Sequence, residues 1–175
     1  MSELKDIGFD KVVHINDTLD HIIFEISDHG IIHKIQASIP STYPLTPLKL
    51  TLDGPSMNHP LTTTMTSEPD TNPTITTSNH SNLCTAIQYY YEWVEIYRDY
   101  FTCMNELDQH TRILDPDQPT GRDTYRRIAL KGHCSLHLEL DPMYPRNGLK
   151  AMRFYGSEKN IKSFQQLWEN KSQQW

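Results

Sequence analysis

The sequence predicts an α+β chain in which one antiparallel β-meander unit is built twice, with a long helix between the copies. Three observations predict it. "STYPLTPLKL" (41–50) and "DPMYPRNGLK" (141–150) both spell Tyr-Pro, three residues, then Leu-Lys, and Tyr43 and Tyr144 lie 101 positions apart (144 − 43). The stretch before each alternates with period two, as a half-buried strand must. Ile35, Ala37 and Ile39 fall on Leu136, Leu138 and Leu140 under the same 101-residue shift, so the apolar parity agrees in both copies. A one-residue slip would put every one of those side chains in water, so this agreement carries more weight than the dipeptide. Between the copies the apolar period becomes helical.

In chain order, Phe9–Ile15 and Ile22–Ser27 are predicted strands. Ser27–Ile32 is the hairpin turn into the next, with Gly30 available for positive φ. The strand from Ile31 to Ile39 then leads to the Tyr43-Pro44 corner, where proline lacks an N–H and ends the ladder. Leu48–Leu52 follows. Residues 62–77, with eight threonines and two prolines, are predicted to be a loop. From Asn82 to Asp108, Leu83, Ile87, Tyr90, Val94, Tyr97, Phe101 and Met104 recur at steps of four and three, the mark of a helix. Trp93, Ile96, Tyr100 and Leu107 widen the band, so the helix is expected to pack on the first sheet and abut the second unit. Ser78, Asn79 and Ser81 are candidate caps. Residues 109–123 form a linker. Thr124–Leu130, a turn at Lys131–His133, Cys134–Leu140 and Leu149–Tyr155 rebuild the meander. The organisation expected is a first unit over 1–108 and a second over 124–175, the latter ending before its closing helix is complete.

Composition narrows the function. The formal charge of −6 opposes direct nucleic-acid binding, which needs a basic surface. No run approaches the ~20 apolar residues of a membrane span, and the acidic start lacks a secretory signal. Three cysteines fit a reducing compartment better than a disulfide framework. Asn16, Asn79 and Asn170 head glycosylation-type triplets that are expected to be chance matches in such a compartment. Metal is not expected: His133 and His137 share a strand face, but four residues at ~3.3 Å put them about 13 Å apart, too far for one ion. His29 and His33 straddle a turn. Asp17/Asp20 and Glu92/Glu95 are solvated faces. No cofactor is expected.

The final strand is the anomaly. In the first copy Leu48, Leu50 and Leu52 face inward; in the second, Leu149, Ala151, Arg153 and Tyr155 share one face, while Lys150, Met152 and Phe154 share the other. If Met152 and Phe154 fill the core, Leu149 and Tyr155 are exposed beside Arg153. An apolar patch rimmed by charge is what a protein-docking surface presents. The alternative is that the helix beginning near Phe164, with Trp168 and Trp175, covers it.

A meander, a Tyr-Pro corner and a following helix resemble the RWD fold, a relative of ubiquitin-conjugating (UBC) enzymes. Two in tandem resemble the central region of the Fanconi anaemia group L family of RING-type ubiquitin ligases. The run Met104–Pro145, with its acidic helix end, "RRIAL" strand and acidic-Pro-x-x-Pro corner, carries that resemblance most strongly, and "IGFDKVV" (7–13) is similar to the start of the same region. In that family the region lies between an N-terminal ubiquitin-binding module and a C-terminal RING. Three cysteines cannot supply a two-zinc RING, so this chain is expected to be non-catalytic. A conjugating enzyme needs a thiolate beside a His-Pro-Asn loop. "NHPL" (58–61) has its asparagine on the other side, and Cys84 lies 24 residues after Pro60. Cys84, Cys103 and Cys134 therefore read as packing residues.

The resemblance implies a protein of the nucleus, with the cytoplasm as an alternative, whose second unit docks the ligase's substrate, a pair of DNA-repair proteins, for monoubiquitination. It also implies contacts with other subunits of the ligase complex. Leu114, Leu149 and Tyr155 fall at matching or similar positions, whereas Arg112 and Arg153 stand where aromatic residues are expected. A tandem-RWD scaffold of another assembly, and a conjugating-type enzyme using Cys84, are the alternatives.

Overall fold

The computed structural model describes residues 2–55, 74–76 and 82–172. They form two compact units, Met1–Arg98 with Thr120–Arg122, and Asp99–Pro119 with Asp123–Trp175. The Asn58–Leu61 stretch, the candidate caps Ser78, Asn79 and Ser81, and Trp175 lie outside the described residues.

In the first unit, α1 (Ser2–Ile7) and a 3-10 turn (Phe9–Lys11) precede β1 (Val12–Ile15), so the first predicted strand begins three residues late. The strands β2 (His21–Asp28), β3 (Ile31–Ser38), β4 (Lys49–Leu52) and β5 (Thr74–Thr76) complete an antiparallel sheet in sequential order. The last of these lies in the threonine-rich stretch expected to be loop; threonine is β-branched and tolerates an edge position. Across β2 and β3, Ile22, Phe24 and Ile26 pair with Ala37, Ile35 and His33, and all six are buried. The hairpin joining them places His29 and Gly30 at positive φ, 48° and 84°, as a two-residue primed turn demands.

The predicted 82–108 helix is two helices, α2 (Leu83–Ile96) and α3 (Arg98–His110). The Asn82 side chain caps α2 by accepting the Thr85 N–H at 2.8 Å. Leu83, Ala86, Ile87, Tyr90, Trp93 and Val94 are its buried face, and Tyr90 meets the inward His33 ring edge-on at 6.4 Å. Tyr97 (φ −98°, ψ 13°) leaves the helix. The apolar spacing runs through it without a skip, so periodicity holds no sign of the break. Arg98 instead ties this end to the first unit through Asp28 at 3.2 Å and Glu95 at 3.4 Å, and from Asp99 onward α3 belongs to the second unit.

That unit adds β6 (Ile113–Asp115), β7 (Tyr125–Leu130), β8 (Cys134–Leu140), β9 (Leu149–Tyr155) and α4 (Glu158–Ser172). Its sheet runs β6-β7-β8-β9 and is antiparallel throughout. The 101-residue correspondence holds in the ladders. Ile35 pairs with Phe24 and Leu52, and Leu136 with Ile128 and Phe154; Ala37 pairs with Ile22 and Leu50, and Leu138 with Arg126 and Met152. The turn bond also repeats: Tyr43 N–H donates to Pro40 C=O and Tyr144 N–H to Asp141 C=O.

Arg126, at an inward position, is buried. A buried cation is tolerated only when its donors are satisfied. Its Nε and Nη2 donate to the two carboxylate oxygens of Asp108 on α3, at 2.6 and 2.9 Å, while Nη1 donates to the carbonyls of Asp123 and Tyr125. This fork fastens α3 to the sheet.

Candidate protein-docking surface of the second unit

The surroundings of Cys84 and Cys103 disfavour the thiolate. Burial, then the nearby carboxylates of Asp6 and Glu3, push the Cys84 thiol up; burial does the same to Cys103, and Cys134 is buried. Raised thiol pKa values leave little thiolate to attack. Among the described residues no cluster of His, Cys, Asp and Glu could hold a metal ion, and no helix is long and apolar enough to cross a membrane.

The second sheet has two unlike faces. Arg126 reaches α3 on one side, and on that same side Phe154 stacks on Phe164 of α4, rings 6.3 Å apart and nearly parallel. Sheet and α4 enclose an apolar groove of about 550 Å³, lined by Ile128, Leu136 and Phe154 below and by Phe164, Leu167 and Trp168 above. Met152, although inward, is 40% exposed.

The opposite face displays Tyr125, Arg127 and Ala129 from β7, Ser135, His137 and Glu139 from β8, and Ala151, Arg153 and Tyr155 from β9. Their register is Arg127–His137–Arg153 in one row and Ala129–Ser135–Tyr155 in the next. Arg127 Nε donates to Ser135 Oγ at 2.9 Å, and its guanidinium lies 4.5 Å from the centre of the Tyr155 ring. Arg153 lies 5.2 Å from that same ring. The His137 ring stacks on Tyr125 at 5.2 Å, and Glu139 is paired with Lys150 at 2.6 Å.

Of the four residues singled out in the sequence, Arg153 and Tyr155 share this outer face. A register shift between Glu139 and Leu140 sets Leu149 opposite the inward Leu140, so Leu149 is half-buried on the helix-bearing side. Leu114, 45% exposed, sits on β6 at the other edge of the sheet, with β7 and β8 between; three strand spacings make that about 14 Å. Tyr125, Arg127 and Ser135 drew no notice in the sequence, and His137 drew it only as half of a histidine pair too far apart for one ion. Their shared parity with Arg153 was available, but only the β7–β8–β9 register shows that they form one cluster.

The two antiparallel sheets with their helices form a UBC-like fold. Residues 99–175 match the family described as FANCL UBC-like domain 3. The mouse protein named E3 ubiquitin-protein ligase FANCL is 26% identical over 146 residues, covering 83% of this chain and 35% of that protein. A solved structure titled "Crystal Structure of FANCL" matches the fold with a TM-score of 0.68 at 15% identity, over 99% of this chain and 44% of the solved one. Residues 99–175 are thus similar to that family and the fold agrees with that of the solved structure, while the chain spans about a third of the length of its curated relative.

Proposed function

We propose that this chain is the non-catalytic docking part of a FANCL-type ubiquitin ligase, holding a protein substrate for ubiquitin transfer in the nucleus. The observation that carries the reading is the match of residues 99–175 to FANCL UBC-like domain 3, on a unit whose sheet keeps one face clear of α3 and α4. Raised thiol pKa values at Cys84 and Cys103 accord with a role in binding and not in carrying ubiquitin as a thioester. The partners are the DNA-repair substrate pair that such a ligase monoubiquitinates, together with other subunits of the same complex.

The experiment is capture of the purified substrate pair by the immobilised chain, beside a charging assay with ubiquitin, activating enzyme and ATP. Capture without a thioester band is the expected result. A Cys84-dependent thioester, or absence of capture by the folded chain, overturns the proposal.

A further inference from the structure

We propose that the outer face of the second unit's sheet binds an acidic peptide segment of a protein partner, its carboxylates taken by Arg127 and Arg153 on either side of His137. This rests on the docking reading for the partner being a protein, and supplies the chemistry of what is docked. The first support is charge left over. Among the described residues Arg127 and Arg153 form no ion pair, as is true of several scattered surface lysines and arginines such as Lys5 and Lys131. These two, however, stand in one row of the sheet across His137, whereas Arg126, Arg146 and Lys150 of the same unit each have a carboxylate within 4 Å. Glu139, the acid on β8 nearest them, is occupied by Lys150. Asp115, opposite Arg127 in the β6–β7 register, forms no ion pair with it and lies away from His137 and Arg153. On a chain of net charge −6, this leaves a local cationic row that calls for an anionic partner.

The second support is preorganisation. Arg127 is held by buried Ser135 and by Tyr155, and Arg153 by the same ring, so less side-chain freedom is lost on binding. Guanidinium forks match carboxylates in two-point contacts. The roots of the two arginines are two strand spacings apart, about 10 Å, and carboxylates on alternate residues of an extended peptide are about 7 Å apart, within reach of both. Ala129 and Ala151 leave the adjoining surface low enough for a backbone to lie across it. A long polyphosphate chain is disfavoured by the charge of the rest of the molecule.

The test is fluorescence anisotropy of the full chain with a labelled eight-residue peptide alternating Asp or Glu with Ala or Val, at low and moderate salt. Salt-sensitive binding is expected. Arg127→Gln and Arg153→Gln should each weaken it about tenfold and flatten the salt dependence. Ser135→Ala should weaken it less, by freeing Arg127, and Lys171→Gln, beside the groove on the other face, should leave it unchanged; thermal melts confirm each variant folded. Absence of binding, equal loss in Lys171→Gln, or displacement by inorganic phosphate at concentrations where chloride has no effect overturns the assignment. Substrate capture that survives the double Gln variant sinks this inference alone. Peptide binding through the arginines without substrate capture sinks the docking proposal alone.

Discussion

The two units use the same inward positions for different ends. In the first, Leu50 and Leu52 oppose Ala37 and Ile35 and are 0% and 1% exposed. Their counterparts in the second, Met152 and Phe154, oppose Leu138 and Leu136, yet Met152 is 40% exposed and Phe154 lies on an open groove. One ladder pattern thus supports a closed core in one place and an accessible surface in the other. What differs is the cover: α2 lays six buried side chains on the first sheet, whereas α4 leaves Leu167 and Trp168 partly in solvent. Repetition of a strand pattern therefore fixes a scaffold and leaves function to whatever flanks it.

The deepest contrast lies at Ile22 and Arg126, equivalent in register. The first unit fills the position with hydrocarbon; the second fills it with a cation that donates four hydrogen bonds. Removing one partner of a buried ion pair strands the other and its neighbouring carbonyls. Arg126→Ala is expected to lower unfolding free energy by about 3–5 kcal/mol in urea titrations. Arg126→Met should recover part of that loss, because Asp108 is partly exposed and can be hydrated. A loss below about 1 kcal/mol for the alanine variant would mean that the fork does not fasten α3.

The twin Tyr-Pro corners separate by a smaller margin. The Tyr43 hydroxyl donates to Glu3 at 2.9 Å and accepts the Leu83 N–H, at the start of α2, at 3.1 Å. It thereby satisfies a helix-terminal donor that lacks an intrahelical partner. Tyr144 carries the same turn bond but is 60% exposed. Tyr43→Phe should cost about 1–2 kcal/mol, since a hydrogen bond to a charged group and a helix cap go together, and Tyr144→Phe should cost close to nothing. Equal melting shifts for the two would erase the distinction.

That pair also shows how much of the molecule was legible in the sequence. The strands β8 and β9 emerge with the boundaries that alternation gave, and β2, β3, β4 and β7 within a residue or so, because period two and the corner proline are local signals. The break at Tyr97 was not legible: the stripe Leu83–Met104 reads alike whether the helix bends or not. The surface was half legible. Side-chain parity assigned Arg153 and Tyr155 to one face, but a bulge at Glu139–Leu140 moved Leu149 to the other, and a bulge is a property of two strands, invisible in either alone. Arg127 and His137 join the cluster only through cross-strand register.

His33 and Cys134 occupy equivalent positions in β3 and β8, again 101 residues apart, and give the smallest and most selective test. His33 is buried against Tyr90, and burial lowers its pKa below the usual histidine value, with Asp28 opposing only in part. The unfolded chain therefore takes up a proton that the folded chain refuses. Stability from this group is complete above the unfolded pKa near 6.5 and declines as pH falls through that value towards the lowered folded one. Between pH 7 and 5.5 the loss is bounded at about 1 kcal/mol. The second unit has a cysteine in place of that imidazole, so this source of acid sensitivity should belong to the first unit. Urea titrations of the unaltered chain and of His33→Cys, which copies the second unit's residue into the first, are expected to diverge at pH 7 through a packing difference, then to converge by up to that amount at pH 5.5. A His33→Cys chain that loses as much stability on acidification as the unaltered one would show that the buried imidazole is not the group being titrated.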